Sequence, residues 1–175
     1  MRKIVLTFGF IAGGIMAALM LLTFTVLDKV NFDNGAIVGY AGMVLAFLMV
    51  YFGVRAYRDN VAGGTISFGR AFKTGLFITL IATCCYVATW EFIYYKLAPD
   101  FGDKYAAYEL QKARDAGKTD AQVAAIAASM AQFKETYRNP LVNISYTFLE
   151  PLPVGLLFTL VTAGVLSRKG KREGA

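Results

Sequence analysis

Residues 144–166 read Ile-Ser-Tyr-Thr-Phe-Leu-Glu-Pro-Leu-Pro-Val-Gly-Leu-Leu-Phe-Thr-Leu-Val-Thr-Ala-Gly-Val-Leu. The run is long enough to cross a bilayer, which takes about 20 apolar residues. Glu150, Pro151 and Pro153 interrupt it near its start. A carboxylate and two prolines inside a membrane-length segment are costly, because proline donates no backbone hydrogen bond and a buried charge is expensive in lipid. Either the helix is broken there, or it begins there with Glu150 as its cap and Pro151 at its first position, a placement proline favours. In the second case residues 141–149 lie along the membrane interface.

The rest of the chain reads more simply. Of 175 residues, 57% are hydrophobic and 17% charged, and mean hydropathy is +0.49. Soluble domains run at about 45–50% apolar and about 25% charged. Three further apolar runs, at 4–27, 37–54 and 74–94, complete a set of four spans. The expected fold is an all-α, polytopic membrane protein forming one domain over 1–175. The first run follows Met1-Arg2-Lys3, but it exceeds a signal-peptide core and no Ala-x-Ala site closes it, so it reads as a retained span. Gly9, Gly13 and Ala17 line one face of it. Gly35, Gly39, Gly42 and Ala46 do the same in the second span, as small residues do where helix backbones approach.

Charge sets the expected orientation. The net charge is +6, and beside apolar spans such charge reads as a topology signal and a lipid contact, not as nucleic-acid binding. Arg2, Lys3, the link at 55–73 with Arg55, Arg58, Arg70 and Lys73, and the tail with Arg168, Lys169, Lys171 and Arg172 fall on one side of a four-span layout. The link at 28–35 has Asp28 and Asp33 against Lys29. The positive-inside rule then puts both termini in the cytoplasm. In the cytoplasmic link, Gly63-Gly64 reads as a turn and Ser67 as a helix N-cap. Phe68 and Phe72, interleaved with Arg70 and Lys73, read as a segment at headgroup level.

The external link, 96–143, carries seven basic and six acidic residues. It predicts an amphipathic helical hairpin at about 100–139, laid over the outer end of the bundle. Ala116-Gly117 marks a helix stop, and Thr119-Asp120-Ala121-Gln122 matches a capping box. Val123, Ile126, Met130, Phe133 and Tyr137 then recur at steps of three and four, one face of a helix. That face packs on the sister helix or on lipid, or else docks a partner. Asn139-Pro140 turns the chain back to the membrane.

Candidate chemistry is sparse. Glu91, with Tyr86, Trp90, Tyr94 and Tyr95 around it, lies near the outer end of the third span, at a depth similar to Glu150. Two carboxylates facing each other beside carbonyls freed by the prolines make an oxygen-rich pocket for a proton or hard cation. Alternatively, Glu150 only caps and Glu91 snorkels to water. Cys84-Cys85 are adjacent, cannot readily bridge, and read as small buried apolar side chains. With no histidine and no further cysteine a Cys/His zinc site is excluded. No cofactor motif and no hydrolase motif is present.

The run at 39–47, Gly-Tyr-Ala-Gly-Met-Val-Leu-Ala-Phe, is followed at 52–59 by Phe-Gly-Val-Arg-Ala-Tyr-Arg-Asp. At 63–75 comes Gly-Gly-Thr-Ile-Ser-Phe-Gly-Arg-Ala-Phe-Lys-Thr-Gly. Together they resemble a bacterial family of small four-span membrane proteins known as domain of unknown function 4199. The resemblance implies a bacterial inner-membrane location and the four-helix layout, transfers no functional residue, and draws attention to Arg55, Arg58, Asp59, Arg70 and Lys73, in which Arg55 and Asp59 stand one turn apart. The expectation is a non-catalytic inner-membrane protein acting through membrane lipids, a protein partner or a second copy of itself. A small ion, proton or solute carrier using Glu91 and Glu150 is the alternative. A membrane enzyme, with Glu91 and Glu150 as its acid and base, is the third.

Overall fold

The computed structural model describes residues 1–26 and 32–167. Asp28 and Lys29, the end of the first expected span at Leu27, and the basic tail from Arg168 lie outside the described residues. Among the described residues the regular structure is entirely helical. The helices are α1 (Arg2–Val26), α2 (Phe32–Asn60), α3 (Phe68–Phe92), α4 (Phe101–Asp115), α5 (Asp120–Tyr137), α6 (Pro140–Leu149) and α7 (Leu152–Leu166), with a π-helical turn, Ile93–Leu97, ending α3.

Four segments are long and apolar enough to cross a membrane: Arg2–Thr25, Phe32–Asn60, Phe68–Leu97 and Pro140–Leu166. At 1.5 Å per residue the shortest, of 24 residues, reaches about 36 Å, more than a hydrocarbon core about 30 Å thick. Their outward faces carry Phe10, Leu22, Ile37, Leu45, Phe77, Leu157 and Val161 exposed. Soluble monomers rarely show so continuous an apolar surface. This is a membrane protein.

Small residues set the packing. A methyl at Gly9 falls 2.8 Å from Ile81 Cβ, and one at Gly13 falls 2.5 Å from Cys85 Cβ. The two contacts advance by four residues on each helix, so α1 and α3 run parallel and in register along the Gly9–Gly13 face. That face is used inside the chain. α2 packs against α1, α3 and α7, and α3 against α1, α2 and α7. Between them Met43, Phe47, Val50, Val54 and Ile78 are fully buried or nearly so.

Thr79 of α3 and Thr159 of α7 meet at the α3–α7 contact. Thr74, Thr79 and Thr83 of α3 and Thr159 and Thr162 of α7 are all buried. The Thr79 hydroxyl donates to the Gly155 carbonyl at 3.3 Å and lies 3.0 Å from Thr159 Oγ1. Gly155 permits this approach, because any Cβ there would enter Thr79 and fall 2.7 Å from Phe47 Cζ. In lipid, where apolar contact gives no hydrophobic advantage, small residues and interhelical hydroxyls hold helices together.

Helix ends differ from the apolar runs. α2 continues past residue 54 to Asn60, and α3 begins at Phe68. The segment at 68–73 is therefore the first turn and a half of α3, continuous with the third span. Charged residues end a hydropathy window without ending a helix: Arg55 pairs with Asp59 at 3.5 Å and Arg58 with Asp59 at 2.7 Å. The break falls at Gly63 and Gly64, whose φ of 69° and 85° cost little without a Cβ. Ser67 is the N-cap residue, but its side chain makes no capping bond. Cys84 and Cys85 are free, as expected; Cys84, however, is exposed on the outer face of α3 and only Cys85 is partly enclosed.

α4 and α5 pack against one another, with an ion pair between Lys134 and Asp103. α4 stops where Gly117, at φ 69°, lets the Lys118 amide reach the Ala113 carbonyl at 3.1 Å, a Schellman-type closure. α5 starts on a reciprocal capping box: the Gln122 amide donates to Thr119 Oγ1 and the Thr119 amide to Gln122 Oε1. Along α5, Val123, Ile126, Met130, Phe133 and Tyr137 are the partly enclosed apolar positions.

Candidate functional site at the interrupted fourth span

Asn139 starts α6 by accepting the Leu141 amide on Oδ1 at 3.0 Å, with Pro140 in the first turn. The helix therefore begins eleven positions before Pro151, and Glu150 is not an N-cap. It closes α6, with φ −66° and ψ −56°. Pro151 follows at φ −79° and ψ −17°. Both residues keep right-handed helical angles, so the interruption lies in the hydrogen-bond ladder that Pro151 and Pro153 cannot join. The Glu150 amide still reaches Tyr146 O at 3.2 Å, and the Gly155 amide reaches Pro151 O at 3.0 Å.

The Glu150 carboxylate accepts the Tyr86 hydroxyl at 2.8 Å. It opens into a crevice of about 120 Å³ lined by Met16, Leu19, Phe24, Gly39, Tyr86 and Trp90, among others. Gly42 and Ala46 of the α2 small-residue stripe are inside the packing, while Gly35 and Gly39 face this open space, where an added Cβ would meet no described atom within 4 Å. The glycines expected to seat a helix instead form a wall of the crevice.

Trp90 is held from behind. Its indole N–H donates to the Tyr137 hydroxyl at 3.0 Å and to Asn143 Oδ1 at 3.1 Å. The Thr147 hydroxyl donates to the same Asn143 oxygen at 3.2 Å. Asn143 is fully buried. These bonds tie the end of α3 to α5 and α6. Burial holds the Tyr137 phenol above its ordinary pKa, so it stays protonated at neutral pH. An aromatic cluster continues outward. Trp90 meets Phe24 and Phe101 edge-on at 5.7 and 4.9 Å, and Phe32 contacts Phe101, Tyr105 and Tyr108 at 5.1 to 5.9 Å. Tyr94 contacts Tyr137 at 5.5 Å. Lys112 bonds Asp33 at 2.7 Å, which raises the lysine pKa. The α4–α5 pair thus sits on the end of the bundle that contains the crevice.

Glu91 lies elsewhere. Five residues along a helix turn it about 140° from Tyr86, away from the phenol that binds Glu150. One Glu91 carboxylate oxygen is buried with no hydrogen-bond partner among the described residues, and Glu91 is not part of the crevice wall. Among the described residues no group of three acidic, Cys or His side chains is placed to hold a metal ion. At the opposite end of the bundle, Arg2, Lys3, Arg55, Arg70 and Lys73 are exposed and Arg58 is half-buried. Asp59 alone answers them there among the described ion pairs. Phe68 and Phe72 stack at 6.2 Å beside Arg70 and Lys73.

Sequence reasoning missed Tyr86 as a ligand of Glu150, and Asn143 and Thr147 altogether. Each had a signal. Tyr86 and Trp90, like Asn143 and Thr147, stand four apart on one helix face, and polar groups inside a span call for partners. A family model described as a protein of unknown function (DUF4199) matches residues 7–168. No curated protein and no solved structure matches.

Proposed function

We propose, from the premise that this chain belongs to the DUF4199 family, that it is a bacterial inner-membrane protein working by contact and not by catalysis. In this reading both termini and the loop between α2 and α3 face the cytoplasm, and the basic end of the bundle engages anionic lipid headgroups. The α4–α5 pair lies outside and offers a second surface to a protein partner. The carrying observation is the charge asymmetry: five exposed basic side chains and Arg58 at one end, against the nearly balanced 96–143 segment at the other. The stacked Phe68–Phe72 pair beside Arg70 and Lys73 suits an interface, rings in the acyl boundary and cations at phosphate level.

Catalysis has less support. A crevice of about 120 Å³ is well below the roughly 300–1,000 Å³ of drug-sized sites. A carrier with Glu91 and Glu150 as one site also has less support, since Glu150 is engaged by Tyr86 and Glu91 points elsewhere on α3.

The test is retention of anionic lipid by the purified protein, read by native mass spectrometry from micelles doped with phosphatidylglycerol. A basic residue near an anionic surface contributes about 1 kcal/mol, so Arg70→Gln with Lys73→Gln weakens retention about 30-fold. Equal retention by the double variant and the parent removes the lipid reading.

A further inference from the structure

We propose that the crevice at Glu150 is a binding site for a small organic monocation, an alkylammonium group whose apolar body rests on the α1 and α2 walls. Three observations converge. Glu150 supplies a negative charge open to the space, fixed by the Tyr86 hydroxyl at 2.8 Å. Trp90, Tyr86 and Phe24 supply aromatic surface, and the Trp90 ring is locked by its bonds to Tyr137 and Asn143. The remaining wall is apolar side chains and glycine with the Thr23 hydroxyl among them, and Gly35 and Gly39 leave room that no described side chain fills.

The chemistry of that lining selects the ligand. A hard metal cation takes six or more oxygens, whereas the described side chains of this wall offer one carboxylate, a phenol and the Thr23 hydroxyl. An anion meets Glu150. A neutral apolar molecule leaves the carboxylate with the phenol alone. An ammonium on a short carbon body satisfies each part: the carboxylate neutralises it, the ring faces attract it, and its methylenes cover the apolar wall. At about 120 Å³ the crevice takes a headgroup, and a longer chain stays outside in lipid. The same chemistry comes from a free amine or from an amine-bearing lipid.

Trp90 is the only tryptophan in the chain, so its emission reports on the site directly. The full chain, purified in an uncharged maltoside, is titrated with choline and with its uncharged carbon isostere, dimethylbutanol. The expected result is a saturable change in Trp90 emission with choline, and binding of the isostere weaker by on the order of tenfold. Glu150→Gln, in which Tyr86 still finds a carbonyl acceptor, loses the preference for the cation. Gly39→Leu, which fills the space from the α2 side, abolishes the response. Glu91→Gln, outside the crevice, titrates like the parent. Nanodiscs with and without phosphatidylethanolamine identify the source. Competition with choline points to a lipid headgroup and an unmoved titration to a free amine, and both support the site. Equal response to choline and isostere, no saturable response in the parent, or unchanged choline binding in folded Glu150→Gln or Gly39→Leu overturns the proposal.

Discussion

Gly155→Ala probes the α3–α7 contact more sharply than any other single change. The added methyl enters the Thr79 Cγ2 position and lies 2.7 Å from Phe47 Cζ. Neither neighbour yields readily. Thr79 is β-branched within a helix and stiff about χ1, and Phe47 is completely enclosed. The helices must part or a side chain must leave its rotamer, at a cost of about 1–3 kcal/mol for overpacking. Separation also lengthens the Thr79–Gly155 and Thr79–Thr159 hydrogen bonds, which in a membrane contribute about 0.6 kcal/mol each. Against this, alanine gains about 0.5–1 kcal/mol over glycine in a helix. With both bonds lost the balance is a net loss of about 1.2–3.7 kcal/mol. Gly164→Ala, in the same helix and with no described atom within 4 Å of an added Cβ, keeps the propensity gain and stabilises by about 0.5–1 kcal/mol. The assay is reversible unfolding in mixed micelles of rising dodecyl sulfate fraction, followed by Trp90 emission. The two variants should move the midpoint in opposite directions. A Gly155→Ala midpoint equal to or above that of Gly164→Ala refutes the close approach of α7 to α3.

Other expectations follow from the same contacts. Asn143→Ala removes the acceptor shared by Trp90 and Thr147 and costs about 1–3 kcal/mol, whereas Tyr137→Phe leaves Trp90 its bond to Asn143 and costs about 0.5–1.5 kcal/mol; the same micelle titration ranks them, and equal losses contradict the network. Thr119→Ala removes half of the capping box and costs about 1 kcal/mol locally, read as faster amide exchange in the first turn of α5 with α3 unchanged. Asp100 at the start of α4 has its pKa lowered, chiefly by the hydrogen bond from Lys104. A lowered pKa gives stability that is present above the ordinary carboxylate value and lost as pH falls through the lowered one. Protection of the first turn of α4 should thus hold at pH 5 and weaken below about pH 3.9; protection unchanged by acid removes the pair's role.

The parts of the fold legible in the sequence are those set by neighbours along the chain. Four apolar runs gave four spans, the Thr119–Gln122 spacing gave a capping box, and the stripe from Val123 to Tyr137 gave the enclosed face of α5. The helix end at Asn60 was not legible from hydropathy, because a helix runs on through Arg55, Arg58 and Asp59 when their side chains pair, whereas Gly63-Gly64 and Ser67 did mark the start of α3 at Phe68. The interruption at Glu150 was visible, yet its consequence was not. Tyr86 and Glu150 are 64 residues apart and Trp90 and Asn143 53 apart, and no local spacing encodes such pairs. Similar depth placed Glu91 and Glu150 together in the sequence reading. Depth leaves azimuth open, and azimuth on α3 sends Glu91 away from the phenol.

The side of the membrane on which each end lies is the claim the functional account depends on most. In a chain with Cys84 and Cys85 replaced by alanine, single cysteines are placed by Thr65→Cys between α2 and α3 and by Lys118→Cys between α4 and α5. Intact cells are treated with a membrane-impermeant maleimide. The account predicts that the cysteine at 118 is labelled in intact cells and that the one at 65 is labelled only after permeabilisation. The reverse pattern puts the basic end outside and contradicts it.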